Sequence, residues 1–463
     1  MRCPVGTAIS AYFPANNEQT SSQERDYMHT IASSIIIIIL IWEYANDNIA
    51  INMFGFDFIR HLAVRSLTLV RPRSDLVDES KGYSYIENKD YLLSVGSYNG
   101  DITILKYNPF HKSISKVSTY HQSSFQPSWQ TVHPTQKIIY SADEGNPGGL
   151  VSLRLDEKSG ELKKLGKSEG INGTVSIAFY KNLAIVAAYT GHSIQTFDTT
   201  ETGDISQARD TFTYFLEAPG PNKERQESSH PHQVVVDPTG HYVVAPDLGA
   251  DLLRLYSING SRLSELQNIT VAAGSGPRHV AFHVIDKPNE IFERNRTMIY
   301  VVNELKNTLT VFKTRQWDNG TFVFHEVQNV PTLPPTSTEH LASVPSPTAG
   351  EIVISKDKRF LYVSNRNDYS FKDKKFGSSD SIALYKIDPL TGFVSFVKLL
   401  QAGGVTPRHF SFDQSGKFVA VALQETDTIV IYKVDPTSGE FIDAEDHDIS
   451  LHVSDRPVCV NWL

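Results

Sequence analysis

From about residue 86 onward, apolar and polar residues alternate in short runs separated by Gly, Pro, Asp and Asn. A period of two, bounded by turn residues, predicts β-strands rather than helices. The runs repeat as a unit of strand, tight polar turn, second strand, loop and third strand. Clear copies are His232–Leu255, Arg278–Phe312, Glu351–Tyr385 and Arg408–Tyr432. In the first of these, His-Gln-Val-Val-Val leads into the turn Asp237-Pro-Thr-Gly240, and His-Tyr-Val-Val-Ala-Pro-Asp follows. Asp, Pro and Gly supply the dihedrals that such a turn needs. A fourth strand is readable after the Asp-Pro-x-(Ser/Thr)-Gly turns that end at Gly392 and Gly439.

The first turns of successive copies fall near Lys89, Gln136, Lys181, Gly240, Lys287, Lys358 and Gly416. The shorter spacings are close to the length of a four-stranded propeller blade. The longer ones carry insertions at Pro219–Ser229, Val284–Arg296, Pro331–Pro347 and Asp368–Ser379. Seven turns predict an all-β fold, a seven-bladed β-propeller with four-stranded antiparallel blades. Blades two and three are weakly patterned. The first copy lacks the strand before its Lys89 turn, and the tail Pro457–Leu463 reads as a lone strand. Joining the two closes the ring and removes an open sheet edge. Residues 86–463 are therefore expected to form one domain. An open solenoid would leave the tail strand unexplained.

Residues 1–85 read differently. They begin polar, turn apolar at Ile35–Ile41 and end in the basic stretch Arg60–Arg73. The apolar run has the length of a signal-peptide core. However, Glu18, Glu24 and Asp26 precede it and no Ala-x-Ala site follows. The expectation is an irregular extension or a mis-assigned first exon, with a targeting segment as the competing reading. No run reaches the roughly 18 apolar residues of a spanning helix. A soluble, cytoplasmic protein is expected by default, with secretion through Ile35–Ile41 as the alternative.

Charge and composition narrow the function. Lys and Arg number 43 against 52 Asp and Glu, a net charge of -9. That disfavours nucleic acid or an anionic membrane as partner, since both select basic surfaces. The two cysteines, Cys3 and Cys459, exclude a disulfide scaffold and a Cys-rich metal site. No His-Glu-x-x-His pattern is present. Gly274-Ser-Gly276 lacks the context of a phosphate loop, and no Gly-x-Ser-x-Gly elbow accompanies Ser228 and Ser229. Oligomeric state is not legible in the sequence.

The candidate chemistry lies at equivalent places in the copies. His230-Pro-His232, Arg278-His279, Glu351 and Arg408-His409 open the first strands, and Asp247, Glu304, Arg366 and Gln424 end the second strands. Neighbouring strands are antiparallel, so these two sets share one end of the blades. The first strand lines the channel. His232, Arg278, Glu351, Arg408, Asp247, Glu304, Arg366 and Gln424 are thus expected to converge at one mouth. A solvated ion-pair ring tying blades together is the structural alternative. Three guanidinium groups in one opening repel each other unless an anion is bound, and Arg suits bidentate contact with carboxylate or phosphate. A small anionic substrate is the expected partner.

The stretches HPHQVVVDPTGHYVVAPDLGADLLRLY, GSGPRHVAFH with YVVNELKNTLTVF, GEIVISKDKRFLYVSNRN and TPRHFSFDQSGKFVAVALQETDTIVIYKVDPTSG resemble the lactonase family of seven-bladed propellers. That family includes bacterial-type 6-phosphogluconolactonases and fungal 3-carboxy-cis,cis-muconate cyclases. The resemblance covers residues 86–463. It implies opening or closing of a lactone ring on a small anionic substrate with neither metal nor cofactor, and the missing His-Glu-x-x-His pattern agrees. It also implies His232, Arg278, Glu304 and Arg366 as catalytic residues, with His230, Asp247, Glu351, Arg408 and Gln424 left to bind substrate. Which of His230 and His232 faces the channel stays open, as does hydrolase against cyclase. The competing reading is a propeller without catalysis that serves as a binding protein or scaffold.

Overall fold

A computed structural model of the chain describes residues 88–122, 125–285, 297–316, 322–335, 346–442, 449–453 and 455–463. The segment 1–85 with its apolar run, most of the Val284–Arg296 insertion and the middle of Pro331–Pro347 lie outside the described residues.

Seven antiparallel sheets follow one another along the chain. Blades two to seven start their inner strands at Pro127–Val132, Thr174–Tyr180, Val235–Val236, Pro277–Val284, Thr348–Ile354 and Pro407–Phe412. The inner strand of blade one is the tail, Pro457–Trp462, which pairs antiparallel with Tyr91–Ser97. It is also tied to both neighbours. Ser411 Oγ donates to Val460 O at 2.7 Å, Trp462 Nε1 donates to Ser411 O at 2.9 Å, and Asn461 Nδ2 donates to Gln130 O at 3.2 Å. Blades two and three, weakly patterned in sequence, are complete four-stranded sheets. In blades four and seven the outer strand is split into two short pieces, Arg262–Glu265 with Ile269–Thr270 and Phe441–Ile442 with Ser450–His452.

The first turns form for local reasons. At Lys137, Lys181, Gly240, Lys358 and Gly416 the turn residue has φ between 50 and 72°. At Gly240 and Gly416 glycine meets this without the cost that a Cβ brings. Asp237 seals its turn by accepting from the backbone N–H of Thr239, His241 and Tyr242 at 2.7–3.0 Å. Asp413 does the same for Ser415 and Phe418. The alternating apolar residues then meet their counterparts on the next blade. Seven buried apolar clusters result among the described residues, one between each pair of adjacent blades. Leu93, Val95, Val460 and Ala420 bring blades seven and one together, so the ring is closed by core as well as by hydrogen bonds.

One irregularity recurs and positions the site. In blade five Pro277 pairs with Asn303 but His279 pairs with Val302, which leaves Arg278 as an extra, bulged residue. The same shift isolates Ser128, Val175, Arg408 and, in the tail strand, Val458. In blade four the Pro231–Asp247 bridge and the Val235–Val244 pair differ by one, which puts His232 in this place. In blade six the shift falls between Ala349 and Ile352, and Gly350 corresponds to Arg278. A bulge lets two consecutive residues turn to one side, where a regular strand alternates them.

Candidate active site

The bulges build the mouth in rings. The bulged residues of the seven blades, Val458, Ser128, Val175, His232, Arg278, Gly350 and Arg408, form one ring. The residues after them include Trp129, His279, Glu351 and His409. Members of both rings line a cavity of about 10 Å³, room for roughly one water-sized group. The last residue of the second strand or the one just past it adds a further ring, with Tyr98, Glu144, Tyr189, Glu304, Arg366 and Gln424 in equivalent places.

Glu304 is the hub. Its Oε2 lies 3.0 Å from Arg278 Nε and 2.9 Å from Arg366 Nη2, and its Oε1 lies 2.6 Å from Arg225 Nη1. These are ionic contacts; the carboxylate oxygens have no well-aligned hydrogen bond. Burial alone raises a carboxyl pKa, but Arg366, Arg225 and Arg278 outweigh it and hold Glu304 well below the usual range. Arg278 Nη1 also donates to Gly350 O, and Arg366 Nη2 to Ala349 O, both at 3.0 Å. A Cβ at Gly350 would lie 3.5 Å from Arg366 Nε and 2.6 Å from Ser364 Oγ, so the missing side chain makes room for Arg366. Burial works against the charges on Arg278 and Arg366. A guanidinium nevertheless stays protonated at any ordinary pH.

Arg408 stands opposite a second carboxylate. Its Nη2 is 3.7 Å from Glu144 Oε2, which accepts from Tyr98 OH at 2.8 Å. Its guanidinium lies 5.2 Å from the Tyr98 ring centroid, and Nη1 reaches Gln424 Oε1 at 3.4 Å. Four guanidinium groups therefore face two carboxylates at this level.

His232 faces the cavity, with its Nδ1 buried and without a hydrogen-bond partner. Burial first, then Arg278, His279, Arg408 and Arg366, push its pKa well below 6.5. The imidazole is neutral at pH 7. His230 turns away. It stacks on the Tyr189 ring at 4.1 Å and pairs with Glu227 at 2.8 Å. Tyr189 OH in turn accepts from Arg225 Nη2 at 3.2 Å. His230 thus props the wall of the mouth.

One further expectation needs correction. Asp247 does not reach the channel. It pairs with Pro231 as Asn303 pairs with Pro277, one residue short of the position that Glu304 holds, so its side chain points the other way. There it accepts from Arg254 Nε at 2.8 Å, Ser229 Oγ at 2.5 Å and the His230 N–H at 2.7 Å. Glu351 reaches the same cavity as His232, Arg278 and Arg408, from the ring that holds Trp129, His279 and His409. His279 Nδ1 is 3.1 Å from its Oε1 and His409 Nε2 is 3.7 Å from its Oε2. His409 Nδ1 accepts from the Val460 N–H at 3.2 Å, which leaves the Nε2 proton directed to Glu351. Both imidazoles meet the Trp129 ring edge to face, at 5.4 and 5.2 Å.

The sequence reading missed Tyr98, Glu144 and Tyr189. Ser97-Tyr98, Asp143-Glu144 and Ala188-Tyr189 align with Asn303-Glu304 once the register is known. It missed Arg225 because that residue comes from the Pro219–Ser229 insertion, outside the repeat. It left His279 and His409 unused because neighbours along a strand normally face apart. Among the described residues, no three His, Cys, Asp or Glu side chains are grouped to hold a metal ion. No described helix is long and apolar enough to cross a membrane.

Comparison with known proteins gives the same picture. Residues 92–462 match the family model described as lactonase, 7-bladed beta-propeller. A protein of Arthroderma benhamiae named "probable 6-phosphogluconolactonase" is 31% identical over 351 residues, 75% of this chain and 82% of that protein. The 6-phosphogluconolactonase of Bacillus subtilis is 29% identical, covering 73% of this chain and 87% of its own. The solved periplasmic gluconolactonase of Pseudomonas aeruginosa superposes with a TM-score of 0.66 at 25% identity, over 81% of this chain and 99% of its own. With the family model spanning all seven blades, the chain belongs to the lactonase family of seven-bladed β-propellers.

Proposed function

We propose that the protein hydrolyses the lactone ring of a small anionic sugar acid, with a phosphorylated gluconolactone as substrate. The observation that carries this reading is the meeting of four guanidinium groups and a neutral imidazole at a mouth with two carboxylates. The names of the Arthroderma and Bacillus relatives point to the same substrate class.

Arg278 and Arg366 hold the lactone carbonyl and stabilise the negative charge that grows on its oxygen. His232 Nδ1 takes a proton from water as the water oxygen bonds to the carbonyl carbon. The ring C–O bond then breaks, the ring oxygen receives that proton to become a hydroxyl, and the new carboxylic acid loses the second proton of the water to solvent, which leaves a carboxylate. Glu304 is a poor base, because three arginines hold it ionised. It acts as the anchor that aligns them. Base assistance of this kind contributes roughly 10²–10⁴ in rate.

The test is acid release from 6-phosphogluconolactone by the purified protein, with 3-carboxy-cis,cis-muconate followed in parallel by loss of diene absorbance. Acid release above the spontaneous rate is expected. Turnover of the muconate alone would replace the hydrolase reading by the cyclase one, and binding without turnover of either would leave a binding protein. The pH profile tests the base. The depressed pKa of His232 keeps its base form present on both sides of pH 6.5. Between pH 6 and 7.5, kcat/KM should therefore be flat after subtracting spontaneous hydrolysis. An acid limb centred on 6.5 would remove His232 from this role.

A further inference from the structure

Arg225 differs from the other guanidinium groups of the mouth in origin and exposure. It comes from the Pro219–Ser229 insertion rather than from a blade strand. Its side chain is 38% exposed, against 2% for Arg278, 11% for Arg366 and 18% for Arg408. The cations thus grade from the floor of the mouth outward, and Arg225 is outermost.

The insertion holds Arg225 in place. Asn222 Oδ1 accepts from the backbone N–H of Glu224 and Arg225, both at 3.2 Å. Gln226 is fully buried; its Nε2 donates to Leu248 O at 3.0 Å and its Oε1 accepts from the Asn222 N–H at 3.1 Å. The loop is therefore anchored on blade four, and the guanidinium rests against Tyr189 OH. A side chain fixed beforehand loses little entropy on binding. Its two contacts use a minority of its five N–H donors.

The charge balance is lopsided. Glu304 serves three guanidinium groups, with Oε1 facing Arg225 and Oε2 facing Arg278 and Arg366. The positive charge of Arg225 bears unfavourably on Arg366 and Arg408. An anion seated toward the outside relieves that repulsion. Such an anion meets the remaining N–H donors of Arg225 where it stands, and Oε2 still holds the two arginines assigned to the carbonyl.

We propose that Arg225 is the specificity-determining residue of this mouth: it takes the phosphoryl group at the far end of the substrate and sets the preference for a phosphorylated over an unphosphorylated sugar lactone. This rests on the lactonase reading above. With the carbonyl at Arg278 and His232, the far end of the sugar points outward to the guanidinium that is most exposed.

The experiment compares wild type, Arg225→Gln and Arg225→Lys. For each, kcat/KM is measured with 6-phosphogluconolactone and with gluconolactone, and calorimetry gives the Kd of 6-phosphogluconate and of gluconate. The readout is the ratio between the phosphorylated and plain members of each pair, which cancels whatever Arg225 does through Glu304. Arg225→Gln should lower the ratio about 10- to 100-fold, the worth of one charge-assisted contact, and Arg225→Lys should retain part of it. Equal loss on both members of a pair would reduce Arg225 to a positioning residue for Glu304 and overturn the proposal. So would a wild-type protein that binds gluconate as tightly as its phosphate. Wild type that turns over neither lactone sinks the lactonase reading, and the calorimetric ratio then decides this one alone.

Discussion

Arg278→Ala is expected to lower kcat/KM on the lactone substrate by about 10²–10³, the usual cost of removing one donor from a developing oxyanion. Its side chain is 2% exposed and contacts Glu304, Gly350 O and the His279 ring. The loss should fall on kcat as well as KM, because the contact strengthens as charge grows on the carbonyl oxygen. Stability should fall too. Breaking a buried ion pair by removing one partner typically costs about 3–5 kcal/mol. Here Glu304 keeps Arg225 and Arg366, so the lower end of that range is expected. Arg278→Lys keeps the charge and loses the fork. It should recover stability more than turnover, since one ammonium cannot meet Glu304, Gly350 O and a substrate oxygen together. Thermal melting and steady-state kinetics on the same samples separate the two effects. A folded Arg278→Ala protein with undiminished turnover would remove the arginine from the chemistry.

Truncation after Arg456 is expected to abolish the folded state. The lost strand carries Val458, Cys459 and Val460, each at most 2% exposed, and it pairs along Tyr91–Ser97. Full burial of a Val side chain is worth about 1.5–3 kcal/mol, and total stabilities are about 5–15 kcal/mol. Removal also uncovers Leu93 and Val95 and leaves an unpaired strand edge, which invites aggregation. The loss of a cooperative melting transition, read by circular dichroism, checks this. A permuted chain that carries residues 457–463 ahead of residue 88 should fold, because the ring depends on the pairing rather than on chain order. If the truncated protein melted cooperatively at the wild-type temperature, ring closure by the tail would not hold the fold.

Much of this architecture was legible before any coordinates. Turn chemistry at Asp237–Gly240 and Asp413–Gly416 is local, so it could be read directly. The unmatched tail strand and the missing strand of blade one announced each other. In blades four to seven, His232, Arg278 and Arg408 were readable because each follows a Pro at a repeated place, and Glu304 and Arg366 because each follows an Asn. Blades one to three were harder. Tyr98 and Tyr189 occupy the same position as Glu304 without its charge, and Glu144 shares its chemistry but sits in a weakly patterned blade, so a search for repeated charge passed over them.

The sequence by itself determined the alternation, the seven turns, the closing strand and the recurrence of Arg, Glu and His at blade ends. These depend on side-chain type and on the spacing of two along a strand. Only the tertiary structure decided which of these side chains meet. A one-residue bulge turns Arg278 and His279 to the same side, and one step of register sends Asp247 into blade four while Glu304 faces the mouth. Arg225 reaches Glu304 from a loop 79 positions earlier in the chain. Register and bulges are set by pairing across strands, and long-range contacts by the closure of the ring, so neither is written in any local stretch of residues.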